Sequence, residues 1–328
     1  MKKYLFVGGT EGNTGPDNVN KGIVANLNDN FCFIKSKNKV KKYLDMIYNV
    51  ICCKVIVVSG LSKMGMYAIK LSKILKKKTI YIMHGCSEIE FVLNEMPSNE
   101  KSLEIEKYIL HNTDLILAVS KKFSDLIQEK YPACKGRIGY LHNGVEKNSN
   151  SVIKNNIIRQ KGSIIAVGGD RKLKNNIIVA KAMKKLDEKK ILKVYGHIYD
   201  EDNLLQGDNI EFKGLVPQTE LYTEMMKSEL YVLNSIYEPF ALSVFDALLC
   251  GCSILISNIA GALEVLDVTE NDIIKDPMDE EEIANKIEYL LQNPNNERII
   301  KKLDFDKISY KAEVEKLDKI CNKLYTEN

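Results

Sequence analysis

The sequence predicts an α/β protein made of two successive doubly wound halves, and three observations carry that reading. Short apolar runs alternate with stretches of helical spacing along the chain, the pattern of βαβ units on a parallel sheet. The alternation breaks once, at the polar and poorly periodic stretch 147–161, and then restarts. The chain has 328 residues, more than one ordinary domain of roughly 100–200 residues needs. The expected organisation is a first domain over 1–150, a second over 151–304, and a Lys/Glu-rich helical tail over 305–328.

In the first half, strands are expected at Tyr4–Val7, Phe31–Lys35, Val55–Ser59, Thr79–Met83, Asp114–Val119 and Arg137–Leu141. Each is a short apolar run of strand length. The segments between them, near 16–28, 39–50, 62–77, 98–112 and 120–130, have apolar residues at helical spacing and lysine-rich outer faces. Gly8-Gly9-Thr10-Glu11-Gly12-Asn13-Thr14-Gly15-Pro16 joins the first strand to the first helix. Such a loop lets backbone approach a ligand closely, and the helix start offers free N–H donors. It is not G-x-G-x-x-G, so a dinucleotide fingerprint is unsupported. Tyr81-Ile82-Met83-His84-Gly85 puts a histidine at the carboxyl end of a strand, where α/β proteins bind ligands.

In the second half, Ser163–Val167 is a strand running into Gly168-Gly169, and 174–186 is a helix. Strands follow at Lys190–Tyr195 and Asn209–Phe212, then a helix over 217–228. Glu229–Leu233 and Ser253–Ile256 are apolar runs that bracket the most informative stretch, Ser235 to Gly251. Proline suits a first helical position, so Pro239 is read as opening a helix there. Phe240, Ala241 and Leu242 would then have N–H groups without an intrahelical partner, at the positive end of the helix dipole. That is a seat for a phosphate. Glu238 stands just ahead of it, and Asp246 falls about two turns along. Two acids flanking an anion seat suit a ligand that carries both phosphate and hydroxyls, such as a nucleotide sugar. The alternative is a helix that merely has an acid at each end. A strand near 272–275 and a helix over 279–292 complete the half, and Pro294 separates them from the tail.

Composition sets further bounds. Apolar residues make up 45% and charged residues 28%, an ordinary globular balance. No run of about 18 apolar residues suggests a membrane span, and the N-terminal apolar run is too short for a signal peptide. The eight cysteines show no C-x-x-C pair and no metal spacing, so reduced structural thiols in a cytoplasmic protein are expected. Residues 1–150 hold 23 Lys+Arg against 14 Asp+Glu, or +9, whereas 151–328 hold 24 against 30, or −6. The lysine-rich stretch 35–78 holds 12 Lys against one acid, Asp45. Such a field attracts an anionic partner. With no nucleic-acid-reading module beside it, nucleic acid is disfavoured. The two readings left are an ordinary solvated surface, with Met64, Met66, Tyr67, Ile74 and Leu75 packed in the core, and peripheral contact with an anionic membrane at the inner face of the plasma membrane.

Glu-Pro-Phe-Ala-Leu, seven residues between two acids, then Ala-Leu-Leu-Cys-Gly, resembles the E-x7-E signature of the family-four, group 1 glycosyltransferases of GT-B fold. The second acid departs from it, being Asp246 rather than Glu. The resemblance implies two Rossmann-like domains facing across a cleft, with the C-terminal helix crossing back to the first. It implies transfer of a sugar from a nucleotide diphosphate sugar, UDP-linked by expectation, to a glycan or lipid-linked acceptor. Anomeric configuration would be retained, without a metal or resident cofactor, in cell-surface polysaccharide or glycoconjugate synthesis. Glu238 would bind donor hydroxyls, Asp246 the ribose, and His84 the sugar. Lys174 aligns with the family's lysine, which neutralises the departing diphosphate. The family's arginine position is occupied by Gly169, with Arg171 two residues on either as its substitute or as a solvated surface charge. Gly9 and Gly15 would contact donor diphosphate and acceptor, Glu264 of Gly261-Ala262-Leu263-Glu264 the nucleotide side, and Gly214 the base. His142-Asn143-Gly144-Val145-Glu146 resembles the family's N-G-V-D turn, read as architectural. Asp200-Glu201-Asp202 is read as a solvated charge run rather than a metal site. A nucleotide-sugar 2-epimerase and a catalytically silent binding or chaperone subunit share the fold and stand as alternatives.

Overall fold

The computed structural model describes residues 2–12, 14–36, 38–147, 157–200 and 207–326. Asn13 of the glycine loop, Lys37 of the lysine-rich stretch, 148–156 of the expected linker, and Glu201 and Asp202 lie outside them. The chain forms two compact units. The first comprises Met1–Val92, Met96–Glu146 and Phe305–Asn328; the second comprises Leu93–Glu95 and Lys147–Asp304.

The first unit begins β1 (Tyr4–Gly8), α1 (Gly15–Asn26), β2 (Phe31–Phe33), α2 (Lys39–Cys52), β3 (Val55–Ser59), α3 (Lys63–Ile74) and β4 (Lys78–Met83). It continues α4 (Ser87–Leu93), α5 (Glu100–Asn112), β5 (Leu115–Ala118), α6 (Lys121–Lys130) and β6 (Ile138–Tyr140). The six strands pair in parallel in the order β2-β1-β3-β4-β5-β6. Helices cover both faces of such a sheet, so its central strands are apolar throughout. Leu5, Ile56, Val57 and Ile80 are accordingly sealed from solvent. Sheet order reverses between β1 and β3, because β2 lies on one side of β1 and β3 on the other. The carboxyl ends of those two strands therefore form the unit's topological switch point, where α/β sheets bind ligands.

The second unit repeats the design with β7 (Ser163–Val167), a 3-10 turn at Lys172–Lys174, α7 (Asn176–Met183), β8 (Ile191–Tyr195), β9 (Ile210–Gly214) and α8 (Gln218–Lys227). Then come β10 (Leu230–Leu233), α9 (Leu242–Leu249), β11 (Ser253–Ser257), a 3-10 turn at Gly261–Glu264, β12 (Ile273–Ile274), α10 (Glu280–Gln292) and α11 (Asn296–Lys302). The order is β12-β11-β10-β7-β8-β9, again all parallel. Its switch point falls between β7 and β10. The core packs α7 and α10 on the sheet through Val179, Met183, Ile283 and Ile287 against Ile164, Val232 and Leu255.

After the second unit the chain forms α12 (Phe305–Ile308) and α13 (Tyr310–Thr326) and returns to the first. Val314, Leu317 and Cys321 of α13 are buried, and the helix packs on α1, β3 and β4. Full burial of a Val or Leu side chain contributes about 1.5–3 kcal/mol. The Val145 N–H donates to the Ile308 carbonyl at 2.8 Å. The Tyr310 ring fills space that a Cβ at Gly144 or Gly22 would occupy, 2.4 and 2.3 Å from the nearest ring carbons. Gly144 thus admits the aromatic anchor of α13.

Four local expectations are corrected. The tail is two helices, interrupted at Ser309. α4 and α11 are helices where none was expected. Finally, α9 starts at Leu242, not at Pro239, because Ala241 sits in the left-handed region (φ 81) as its N-cap.

Candidate functional site

In the second unit, the chain leaving β7 and the chain leaving β10 flank the switch point and are stitched together. The Ile236 N–H donates to the Leu173 carbonyl at 2.9 Å. Asn234 donates to the Asn175 and Pro277 carbonyls at 3.4 and 2.9 Å. This framework brings the Lys174 ammonium onto Oε2 of Glu238 as an ion pair, with side chains 16% and 10% exposed. The buried Ser235 hydroxyl donates to the same oxygen at 3.2 Å. A cation and an anion at this depth hold each other in place, because either alone would lose its hydration without compensation.

The glycines of Val167-Gly168-Gly169-Asp170 explain the local sequence. At Gly168 (φ 127) an added Cβ would stand 2.5 Å from Cγ of Lys174, so the missing side chain leaves room for the lysine stem. At Gly169 (φ 63) a Cβ would stand 1.9 Å from the His197 carbonyl oxygen. No arginine fits there. Both glycine N–H groups donate to the Tyr195 carbonyl, at 2.7 and 2.9 Å. Arg171, half-buried, donates from Nε to the Gly168 carbonyl at 3.3 Å, while Lys174 makes the ion pair with Glu238.

The late start of α9 moves the expected anion seat. Phe240 is 2% exposed and stacks on Phe245, with centroids 5.7 Å apart. Its carbonyl accepts from the Ala262 N–H at 2.7 Å, and that of Glu238 accepts from the Gly261 N–H at 3.2 Å. The first-turn N–H groups are therefore those of Leu242 and Ser243, that of Val244 being turned back to the Ala241 carbonyl at 3.2 Å, rather than those of Phe240 to Leu242. The same backbone bonds place the 3-10 turn bearing half-buried Glu264 beside the Glu238–Phe240 loop. Gly214 (φ 70) ends β9, and its carbonyl accepts from the Gly196 N–H at 2.9 Å.

Asp246 lies on the first turns of α9, half-buried, and accepts from the Tyr222 hydroxyl at 3.4 Å. Burial pushes its pKa up to about 7; the hydrogen bond from Tyr222 opposes the shift only in part. At neutral pH this carboxyl is therefore poised between its two forms.

In the first unit, β1, β3 and β4 bring one chain of hydrogen bonds to the switch point. Asn20 donates to the Gly9 carbonyl at 3.0 Å. The Ser59 hydroxyl, 2.6 Å from Asn20 Oδ1, spends its proton there. It must then accept from His84 Nε2, at 2.9 Å. That fixes the ring as the Nε2–H tautomer with Nδ1 as a buried acceptor. Burial pushes the His84 pKa down to about 4, against a weaker opposing interaction with Asn143. The ring is neutral at physiological pH. Gly9 and Gly15 belong to a loop closed on itself: Thr14 and Asp17 form a capping box at the start of α1. A Cβ at Gly9 would meet Oδ1 of Asp17 at 2.8 Å, whereas one at Gly15 would meet nothing within 4 Å.

Sequence reasoning did not single out Asn20, Ser59, Tyr222 or Ser235. Only the position of Ser59, closing a strand, offered a signal. Among the described residues, no group of three or more His, Cys, Asp or Glu side chains is placed to hold a metal ion, and no helix is long and apolar enough to cross a membrane.

The class follows from the whole chain. Two doubly wound parallel units, with a terminal helix returned to the first, are the GT-B fold. The chain resembles Anabaena HepE in complex with UDP and glucose, at a TM-score of 0.67 and 13% identity, over 98% of this chain and 100% of that one. It resembles the sucrose-phosphate synthase of Thermosynechococcus elongatus at a TM-score of 0.65 and 13% identity, over the full length of both. The family match is more local: residues 148–304 match the model for glycosyl transferases group 1. An uncharacterized glycosyltransferase of Methanocaldococcus jannaschii is 28% identical over 272 residues, 76% of this chain and 69% of its own.

Proposed function

We propose that this protein is a retaining glycosyltransferase. It takes a sugar from a UDP-linked donor and delivers it to a glycan or lipid-linked acceptor in surface polysaccharide or glycoconjugate synthesis. The observation that carries the reading is the Lys174–Glu238 pair at the switch point of the unit that matches the group 1 family. Neighbours of this fold crystallised with UDP and with UDP-glucose support the donor class.

The chemistry follows from the side chains. The bond between the anomeric carbon and the donor phosphate oxygen breaks, and its electron pair leaves with the diphosphate. Lys174 supplies the positive charge that receives it, a fixed charge in a site partly closed to water. Glu238 exchanges its bond to Lys174 for donor hydroxyls, which need an acceptor once the diphosphate has claimed the lysine. The N–H groups at the start of α9 add partial positive charge for the phosphates. An acceptor hydroxyl then bonds to the anomeric carbon, and its proton passes to the departing diphosphate oxygen that has taken the electron pair. Asp246, when ionised, takes the ribose hydroxyls, and neutral His84 is a hydrogen-bonding rather than a charged contact to the sugar. No step requires a metal.

The test is slow hydrolysis of a panel of radiolabelled nucleotide sugars, with Glu238→Ala as the control and EDTA in a parallel arm. Turnover of a UDP-sugar that survives EDTA and vanishes in the variant is expected. Nucleotide binding without turnover of any donor would leave a silent binding subunit. Isomerised donor without acceptor would identify a 2-epimerase.

A further inference from the structure

α2 has two apolar faces. Met46 and Val50 point into the first unit and are 3% and 0% exposed. At about 100° per residue, Val40, Leu44, Ile47, Tyr48 and Ile51 fall within an arc of about 100° on the other side. They are 69%, 61%, 40%, 67% and 55% exposed. The stripe runs about 16 Å along the helix. An ordinary surface helix has one apolar face, toward the core, and shows water a polar one. This one shows water a second apolar face.

Lysines dominate the charges around the stripe; on the flank of α2 away from it, Lys42 pairs with Glu11 at 3.0 Å. Lys39 and Lys41 are exposed and stand about 100° to either side of Val40. At the far end the Lys77 ammonium donates to the Ile51 carbonyl at 3.1 Å. The sole acid of this stretch, Asp45, is turned onto its own neighbourhood: it accepts from the Lys35 N–H at 3.2 Å and from Asn49 at 2.8 Å. α3 extends the surface. Its Tyr67, 46% exposed, stands edge-on to Tyr43 of α2 at 6.1 Å, and Ile74, 77% exposed, lies between Lys73 and Lys76 in sequence.

We propose that this face docks on an anionic lipid bilayer, with α2 lying in the interface plane. The apolar stripe enters the headgroup–acyl boundary, Tyr48 sits at headgroup level, and the lysines meet lipid phosphates. Charge decides between this occupant and a second copy of the chain. Two copies face to face would oppose one lysine field with another, which disfavours pairing. An anionic bilayer supplies both the apolar phase and the opposite charge.

The test is co-sedimentation of the full chain with vesicles of phosphatidylcholine alone and of phosphatidylcholine mixed with phosphatidylglycerol. Binding to the mixed vesicles, weakening as salt rises, is expected. Near a membrane surface each lysine contributes about fivefold, so Lys39→Gln with Lys41→Gln should weaken binding about 30-fold. Leu44→Ser with Ile51→Ser should weaken it at least roughly tenfold. All four side chains are exposed, so circular dichroism and UDP binding should be unchanged, which separates lost docking from lost folding. Equal binding to neutral vesicles, or none to either, overturns the proposal. So does a concentration-dependent dimer abolished by Leu44→Ser.

Discussion

Asp246→Asn is the substitution whose consequence is fixed most closely by the structure. The folded protein holds this carboxyl near pKa 7, against an ordinary value of 3.8, because its surroundings exclude water. A raised acid pKa means that the folded state holds a proton the unfolded state releases. Stability is therefore unaffected below about pH 3.8, falls between 3.8 and 7, and stays at its reduced level above 7. The full cost above pH 7 is about 4 kcal/mol, at 1.36 kcal/mol per unit. Asparagine keeps the shape and can still meet the Tyr222 hydroxyl, but never ionises. The stability gained by the variant should thus grow by about 2–3 kcal/mol between pH 5 and pH 8. The assay is urea unfolding of both proteins by circular dichroism at several pH values, read as the difference between them so that other titrations cancel. A difference that stays flat from pH 5 to pH 8 would refute the reasoning. UDP affinity should move the opposite way: wild-type binding strengthens as pH rises through 7, and the variant's does not.

Four further outcomes follow from the same geometry. Gly169→Ala places a Cβ 1.9 Å from the His197 oxygen at φ 63 and should cost about 2–4 kcal/mol in urea unfolding. Gly15→Ala meets no neighbour within 4 Å and should leave stability within about 1 kcal/mol of wild type, so any lost activity there reports on ligand. Lys174→Met leaves the Glu238 carboxylate buried and unpaired and should destabilise the protein by about 2–3 kcal/mol, most of it recovered in the double variant with Glu238→Gln. Failure of the second change to rescue the first would show that the pair is not coupled. For His84, whose folded pKa is lowered, stability is fully present above about pH 6.5 and is lost as pH falls toward 4. Its imidazole nitrogen shifts should report one unprotonated nitrogen from pH 8 to pH 5, and a titration near 6.5 would contradict the buried tautomer.

The fold was legible because strands buried on both faces of a parallel sheet are written as unbroken apolar runs, such as Val55-Ile56-Val57-Val58. What stayed hidden depends on partners distant in sequence. At the start of α4 the N–H groups of Ser87 and Glu88 are received by the Glu106 carboxylate of α5, at 2.9 and 3.3 Å. α11 follows Asn295, whose side chain is spent on Ile254 and Asp272. Pro239 looked like a helix opening, but burial of Phe240 and its carbonyl bond to Ala262 hold the chain outside the helix until Ala241 turns it. Asn20 bears no mark of its role in sequence, and Ser59 only its place at the end of a strand, since a lone polar residue gains meaning from what the sheet sets beside it.

The missing arginine shows how such a gap is resolved by packing. In sequence, Gly169 is a departure from a family pattern and casts doubt on the charge at the seat. In the structure, β8 comes so close behind the loop that Gly196, also at positive φ, faces the Gly169 nitrogen at 2.4 Å from its absent Cβ. A side chain at 169 is excluded by backbone on the far side, so restoring arginine there would break the turn before it added charge. The adjacent Gly168 instead opens the volume that the Lys174 stem fills, and the ammonium arrives at Glu238. The basic group at the seat is therefore set by two glycines acting in opposite senses, one forbidding a side chain and the other making room for one. In the proposed reaction, the charge that a departing diphosphate meets is that of Lys174.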